Sequence, residues 1–213
     1  MRSPAFVVIA FSTLMKLSTP HLPSATHPFD LSRRRALVTG SSRGIGAAIA
    51  VALAEAGADV VVNYAGSRDA ALEVVDKIKS LGRRSVALEA DLGSPEAPKT
   101  LIESTLEALG GIDILVSNVA IQHAEPWQKV SRDHFDHQVT VNWRSAFELI
   151  QLCAPAMLER KWGRIVTIGS VQEAQPHPEM VVYSALKAAQ TLMRSEEHTS
   201  ELQSRVDISY AVF

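Results

Sequence analysis

The 213 residues, 46% hydrophobic and 21% charged, are enough for one well-cored domain of ordinary soluble composition. Lys plus Arg total 21 against 23 Asp plus Glu, so a net charge of -2 gives no electrostatic reason for a nucleic acid or an anionic membrane as partner; a small molecule is expected. The single cysteine, Cys153, excludes an internal disulfide and a multi-cysteine zinc site and fits a reducing cytoplasm.

In chain order, the first feature is an apolar stretch from Pro4 to Met15 that follows Arg2, which is how a secretory signal opens. It is too short to span a bilayer. The next residues carry Pro20, Pro23 and Pro28 and no clear small-x-small cleavage site. Two readings stay open for residues 1–28: an export signal, or an extension from an upstream start codon.

From Arg35 onward, short β-branched runs alternate with helical patterns, the signature of βαβ units feeding a parallel sheet. Ala36–Thr39 reads as the first strand and Ile45–Ala56 as an Ala-rich helix ended by Gly57. Asp59–Asn63 is the second strand, Arg68 to Leu81 an amphipathic helix, and Ser85–Glu89 the third strand. A helix from Pro95 to Leu109 stops at Gly110-Gly111, before a fourth strand at Ile112–Val116. One long helix from Asp133 to Arg160 leads to a fifth strand at Arg164–Ile168, and a last helix begins near Tyr183. With no internal repeat, the expected fold is a single doubly wound α/β domain of Rossmann type.

The first strand runs into TGSSRGIG, where Gly40, Gly44 and Gly46 lie between a strand and a helix. In that context Gly40 allows a tight turn, Gly44 lets backbone approach a pyrophosphate, and Gly46 permits close packing of helix on sheet. The helix N-terminus adds amides and partial positive charge. Ser42, Arg43 and Ile45 complete the loop. The second strand ends in Asn63-Tyr64, where NAD enzymes of this fold carry an acid for the ribose hydroxyls. With the acid absent and Arg43 and Arg68 nearby, NADP(H) is the expected cofactor, NAD(H) the less favoured one.

Tyr183 and Lys187 stand four apart, one helical turn, on one face. Ser170 lies thirteen residues before Tyr183, just past the fifth strand, where a doubly wound sheet binds its ligand. A free phenol, with a pKa of about 10, exchanges protons poorly at neutral pH, and a neighbouring cation favours its anion. Tyr183 is therefore the expected acid/base, Lys187 its tuning cation, and Ser170 a donor to the substrate oxygen. His134 and His137 are three apart on a helix with no further ligand in view, so no metal site is expected, and Cys153 reads as a small buried hydrophobe.

The T-G-x-x-x-G-x-G spacing, together with Ser170, Tyr183 and Lys187, resembles the short-chain dehydrogenase/reductase family over roughly Phe29 to Met193. The resemblance implies an adenine contact for Asp91-Leu92, a strand-bracing and cofactor-lining role for Asn118, and Asn142 as a fourth catalytic member holding a relay water at a helix break. It implies that Lys187 also binds the nicotinamide ribose. Ser117 and Ala120 depart from the family's N-N-A-G pattern. The implied activity is hydride transfer between NADP(H) and a carbonyl or secondary alcohol of 3-oxoacyl, sugar or gluconate-like type, in a homotetramer joined through the long helix and the Tyr183 helix. Past Met193 the chain resembles translated sequencing-library adapter: Arg194 to Ser204, an index at Arg205–Asp207, and Ile208–Phe213. Residues 194–213 are thus expected to be an artefactual tail, the sheet to lack its last two strands, and the fifth strand to be an open edge. On that view the literal chain is a non-catalytic dinucleotide-binding fragment.

Overall fold

Residues 30–195 and 206–211 are described by a computed structural model. The readings made on residues 1–28, and on most of the tail, lie outside the described residues. Six parallel strands form one sheet in the order β3-β2-β1-β4-β5-β6. They are β1 (Arg35–Val38), β2 (Asp59–Tyr64), β3 (Ser85–Glu89), β4 (Ile114–Ser117), β5 (Gly163–Ile168) and β6 (Val206–Ala211). Between them run α1 (Gly44–Glu55), α2 (Arg68–Ser80), α3 (Ala97–Leu109), α4 (Arg132–Val139), α5 (Ser145–Glu159) and α6 (Val181–Ser195).

The central strands are buried on both faces, so their near-continuous apolar runs divide by the period-two alternation of a strand. Ala36, Val38, Val60, Val62, Ile114 and Val116 pack with α1 and α2 residues such as Ala50, Ala54, Val74 and Ile78. Leu37, Val61, Leu115 and Ile165 face the opposite way, onto Leu101, Leu109, Leu149 and Met157 from α3 and α5. The order in which strands are added reverses between β1 and β4, which pair in parallel at Ala36–Ile114, Leu37–Leu115 and Val38–Val116. Just beyond the carboxyl ends of those two strands lies the crevice where such a sheet receives a ligand. At the opposite edge, charges are paired: Asp59 with Arg83 and Arg84 at 2.7 and 2.8 Å, and Asp113 with Arg35 at 2.7 Å.

Two expectations change. The single helix from Asp133 to Arg160 is divided by a π turn, Thr140–Arg144, between α4 and α5. A shift of the hydrogen-bond ladder within a continuous helix leaves no mark in apolar spacing, so the sequence reads straight through it. The fifth strand is also not an open edge. β6 pairs with it in parallel along its whole length, from Gly163–Val206 to Ile168–Ala211. An edge strand presents a row of unpaired amides and carbonyls, and VDISYA alternates apolar and polar residues well enough to add to it.

Candidate active site

The glycine loop shows why each position is small. A side chain built on Gly46 meets the carbonyl of Gly40, the Asn118 Nδ2 at 2.6 Å and the Ser41 Cα at 3.0 Å, so helix and loop meet with no space for a methyl. Gly44 differs: its φ of +58° favours glycine, yet nothing lies within 4 Å of a would-be Cβ, so this face of the loop is open. Helix α1 begins after an extended Arg43, with no side-chain cap and no acid in its first turn. Its first amides are thus left for an anion. An open backbone turn over an uncapped helix N-terminus fits the pyrophosphate of a dinucleotide. Ser42 is half-buried, while Arg43 and Ile45 are exposed on the same turn.

The loop is held from behind by buried polar side chains. The Asn118 Nδ2 donates to the carbonyls of Thr39 (2.9 Å) and Gly40 (3.1 Å), and the Asn118 amide donates to Thr39 Oγ1 at 2.9 Å. Asn118 thus ties the end of β4 to the loop after β1. Asn63, only 1% exposed, receives the Gly40 amide on Oδ1 at 3.1 Å, and its Nδ2 reaches the carbonyl of Ala90 at 3.1 Å. Its amide is consumed inside the protein, so the expected direct cofactor contact gives way to bracing of the loop. Tyr64 changes in the same sense. It is 6% exposed within the core, and its hydroxyl donates to Glu89 Oε2 at 3.3 Å. Burial and the Glu89 carboxylate raise its phenol above the ordinary range, with Arg68 pulling the other way. Arg68 itself is exposed at the start of α2, and among the described residues neither it nor Arg43 forms an ion pair. Asp91 is exposed and caps its own turn, receiving the Gly93 amide at 2.9 Å, while the Leu92 side chain belongs to the core.

At the catalytic end, Asn142 sits in the π turn, fully buried, with Oδ1 accepting from the Ile121 amide (2.8 Å) and Nδ2 donating to the Ile121 carbonyl (2.7 Å). This reciprocal pair pins the loop after β4. Ser170 follows β5 by two residues, 9% exposed, its Oγ accepting from the Gln172 amide at 3.2 Å. Tyr183 and Lys187 lie on α6, with the Lys187 Nζ 5.7 Å from the Tyr183 ring centroid. Lys187 is 2% exposed and donates to the Ile168 carbonyl at 2.8 Å, which ties the helix to the strand end that carries Ser170. Burial pulls its ammonium down to about 8, opposed by Glu173.

Several residues of this architecture escaped the sequence reading. Thr39 and Ser41 are fully buried and hydrogen-bonded within the loop, Ser41 Oγ donating to the Val38 carbonyl at 2.6 Å. Gln190, 1% exposed, donates from Nε2 to the Asn142 carbonyl at 2.5 Å. An amide three residues past Lys187, on the buried face of an otherwise apolar stretch, was the available signal. His134 and His137, both exposed, cluster with His123: His134 stacks on it with centroids 4.1 Å apart and meets Glu125 at 2.9 Å, and His137 tilts against it at 5.8 Å. Cys153 is 4% exposed in the core, with burial pushing its thiol up to about 12.

A family model described as short chain dehydrogenase matches residues 34–211. Versicolorin reductase of Emericella nidulans is 41% identical over 167 residues, 78% of this chain and 62% of that protein. The 3-oxoacyl-[acyl-carrier-protein] reductase of Staphylococcus epidermidis is 37% identical over 155 residues, 73% of this chain and 64% of its own length. The chain thus spans less than two thirds of these curated relatives. Among solved structures, a short chain dehydrogenase from Burkholderia cenocepacia in complex with NADP is similar with a TM-score of 0.78 at 36% identity, covering 85% of this chain and 74% of that one.

Proposed function

This chain belongs to the short-chain dehydrogenase family, and on that premise we propose that it is an NADP(H)-dependent oxidoreductase interconverting a carbonyl and a secondary alcohol. The observation that carries the reading is Lys187: a buried ammonium, anchored to the end of β5 and lying against the Tyr183 ring, at the carboxyl edge of a parallel sheet. An isolated buried charge is costly, so it is retained where its field is used.

When bound, the dinucleotide would give the hydride in reduction and take it up in oxidation; the chain's residues bind, orient and move the proton. Gly40, Ser42, Arg43, Gly44, Ile45 and Gly46 receive the pyrophosphate at the open turn and the α1 N-terminus. Arg43 and Arg68, which form no ion pair among the described residues, are the cations for a 2′-phosphate, and Asp91, Leu92 and Asn118 flank the adenine and the strand ends. Ser170 Oγ gives its proton's hydrogen bond to the substrate oxygen, where negative charge develops. The Tyr183 hydroxyl donates the proton to that oxygen during reduction and takes it back during oxidation. Lys187 stabilises the phenolate left behind and orients the nicotinamide ribose, and Asn142 holds the loop that closes one side of the site. The substrate panel that the relatives suggest starts with 3-oxoacyl thioesters, followed by sugar and gluconate-type alcohols. Exposed apolar side chains on α4, α5 and α6 (Phe135, Phe147, Leu152, Val181) support a homotetramer built on those helices. No helix among the described residues is long and apolar enough to cross a membrane. The single cysteine, buried and reduced, supports a cytoplasmic setting.

The test is turnover of that panel with NADPH, in the parent and in Tyr183→Phe. The expected loss in the variant is about 10³-fold or more, with NADPH affinity within twofold of the parent. Wild-type turnover by Tyr183→Phe overturns the assignment. NADPH binding without any turnover in the parent supports the second reading, a dinucleotide-binding chain without catalysis. We also propose that the family-like stretch Phe29 to Met193 is an incomplete domain and that residues 194–213 are foreign to it, although the family model matches to residue 211 and β6 falls within them; the source DNA decides this, and a locus encoding the same tail refutes it.

A further inference from the structure

Within an α-helix every carbonyl is claimed by the amide four residues on, and a π turn interrupts that assignment. In the turn Thr140–Arg144 the carbonyl of Asn142 is met from another helix, by Gln190 Nε2 of α6 at 2.5 Å. A carbonyl only accepts, so the orientation of the Gln190 amide is fixed, nitrogen toward Asn142 and oxygen away from it. That oxygen, on a side chain 1% exposed, is buried and has no hydrogen-bond partner among the described residues. One turn earlier on the same helix face, Lys187 spends one of its three N–H bonds on the Ile168 carbonyl, and among the described residues no second acceptor meets it.

Buried polar groups in native proteins are satisfied, by protein or by internal water. A leucine or methionine at position 190 would fill the same space without the desolvation of an amide. We infer that Gln190 is a positioning residue for the Asn142–Lys187 pair: its nitrogen holds the π-turn carbonyl while its oxygen accepts from the lysine ammonium through one shared internal water. The inference rests on the proposed role of Lys187 beside Tyr183. The other groups facing the ammonium are few. Glu173, in the turn after β5, is the charge that favours the ammonium and has its carboxylate engaged by Thr191 Oγ1 at 3.1 Å; Tyr183 lies on α6 itself; the end of β5 presents the neutral Ile168 carbonyl. An acceptor at Gln190 therefore acts on an ammonium that burial already disfavours and that little else supports.

The test is a titration of the full chain labelled with ¹³C at the lysine ε-carbons, the Lys187 signal being identified by its loss in Lys187→Arg. In Gln190→Met the Lys187 midpoint is expected to fall by about one pH unit, a tenfold loss of proton affinity. In Gln190→Glu, which keeps size and shape, it is expected to rise by at least as much, and this variant decides the matter if Gln190→Met does not fold. A midpoint moved less than twofold in proton affinity in the folded variants leaves Gln190 as packing only and overturns the link. Neither dinucleotide nor substrate enters the measurement, so its failure removes the Gln190 link alone, whereas a failure of the Tyr183→Phe prediction removes the proposed activity alone.

Discussion

The two ends of the crevice are built on opposite principles. At the glycine loop, Thr39, Ser41, Asn63 and Asn118 are all engaged, and their bonds converge on the backbone that faces the ligand. At the catalytic end, buried groups without a protein partner among the described residues include the hydroxyls of Ser117 and Thr167, which are register partners on β4 and β5, Trp143 Nε1 of the π turn, Ser184 Oγ and Gln190 Oε1. The first region is a rigid cradle whose shape is complete before anything binds. The second keeps unspent polar capacity around a buried lysine, which suits a place where a proton must move.

If that contrast holds, substitutions at the two ends fail in different ways. The largest separation is expected at Lys187. Lys187→Met should lower turnover by about 10³-fold while raising stability near neutral pH, because it removes a buried charge. The sign follows from linkage. Lys187 is held at about 8 when folded and near its ordinary value of about 10.4 when unfolded, so between those values the unfolded chain binds the extra proton. Stability of the parent should therefore rise with pH across that window, by on the order of 2–3 kcal/mol, and the rise should be missing in Lys187→Met. Urea unfolding at pH 7.5 and 10 measures it, and equal slopes in the two proteins would place the lysine outside the buried site.

Next in size is the cradle. Gly46→Ala pushes a methyl against the Gly40 carbonyl and Asn118, and should lose about 100-fold in NADP(H) affinity with destabilisation of about 3 kcal/mol. Gly44→Ala meets open space and only a left-handed φ, so about 1 kcal/mol is expected. Thermal unfolding with and without NADP(H) compares the two, and equal effects would mean that the turn is looser than its contacts indicate. The smallest effect belongs to the exposed cations. Arg68→Ala should weaken NADP(H) binding about tenfold and leave NAD(H) unchanged, as read by fluorescence titration; an equal loss for both cofactors would argue against a 2′-phosphate contact.

Much of this protein is legible in its sequence because the informative relations are short. Strand, glycine turn and helix follow one another within Arg35 to Glu55, and Tyr183 and Lys187 are one helical turn apart, so local periodicity and backbone sterics settle them. What depends on residues far apart in the chain was decided only by folding. Asn63 and Tyr64, where a cofactor contact is expected, turn inward because β1 and β3 pack on either side of them. The division of the long helix, the grip of Gln190 on Asn142 across 48 residues, and the pairing of β6 with β5 are likewise tertiary. Hydrogen bonds between distant backbone groups carry no side-chain signature, so only the assembled sheet and helices determine where they form.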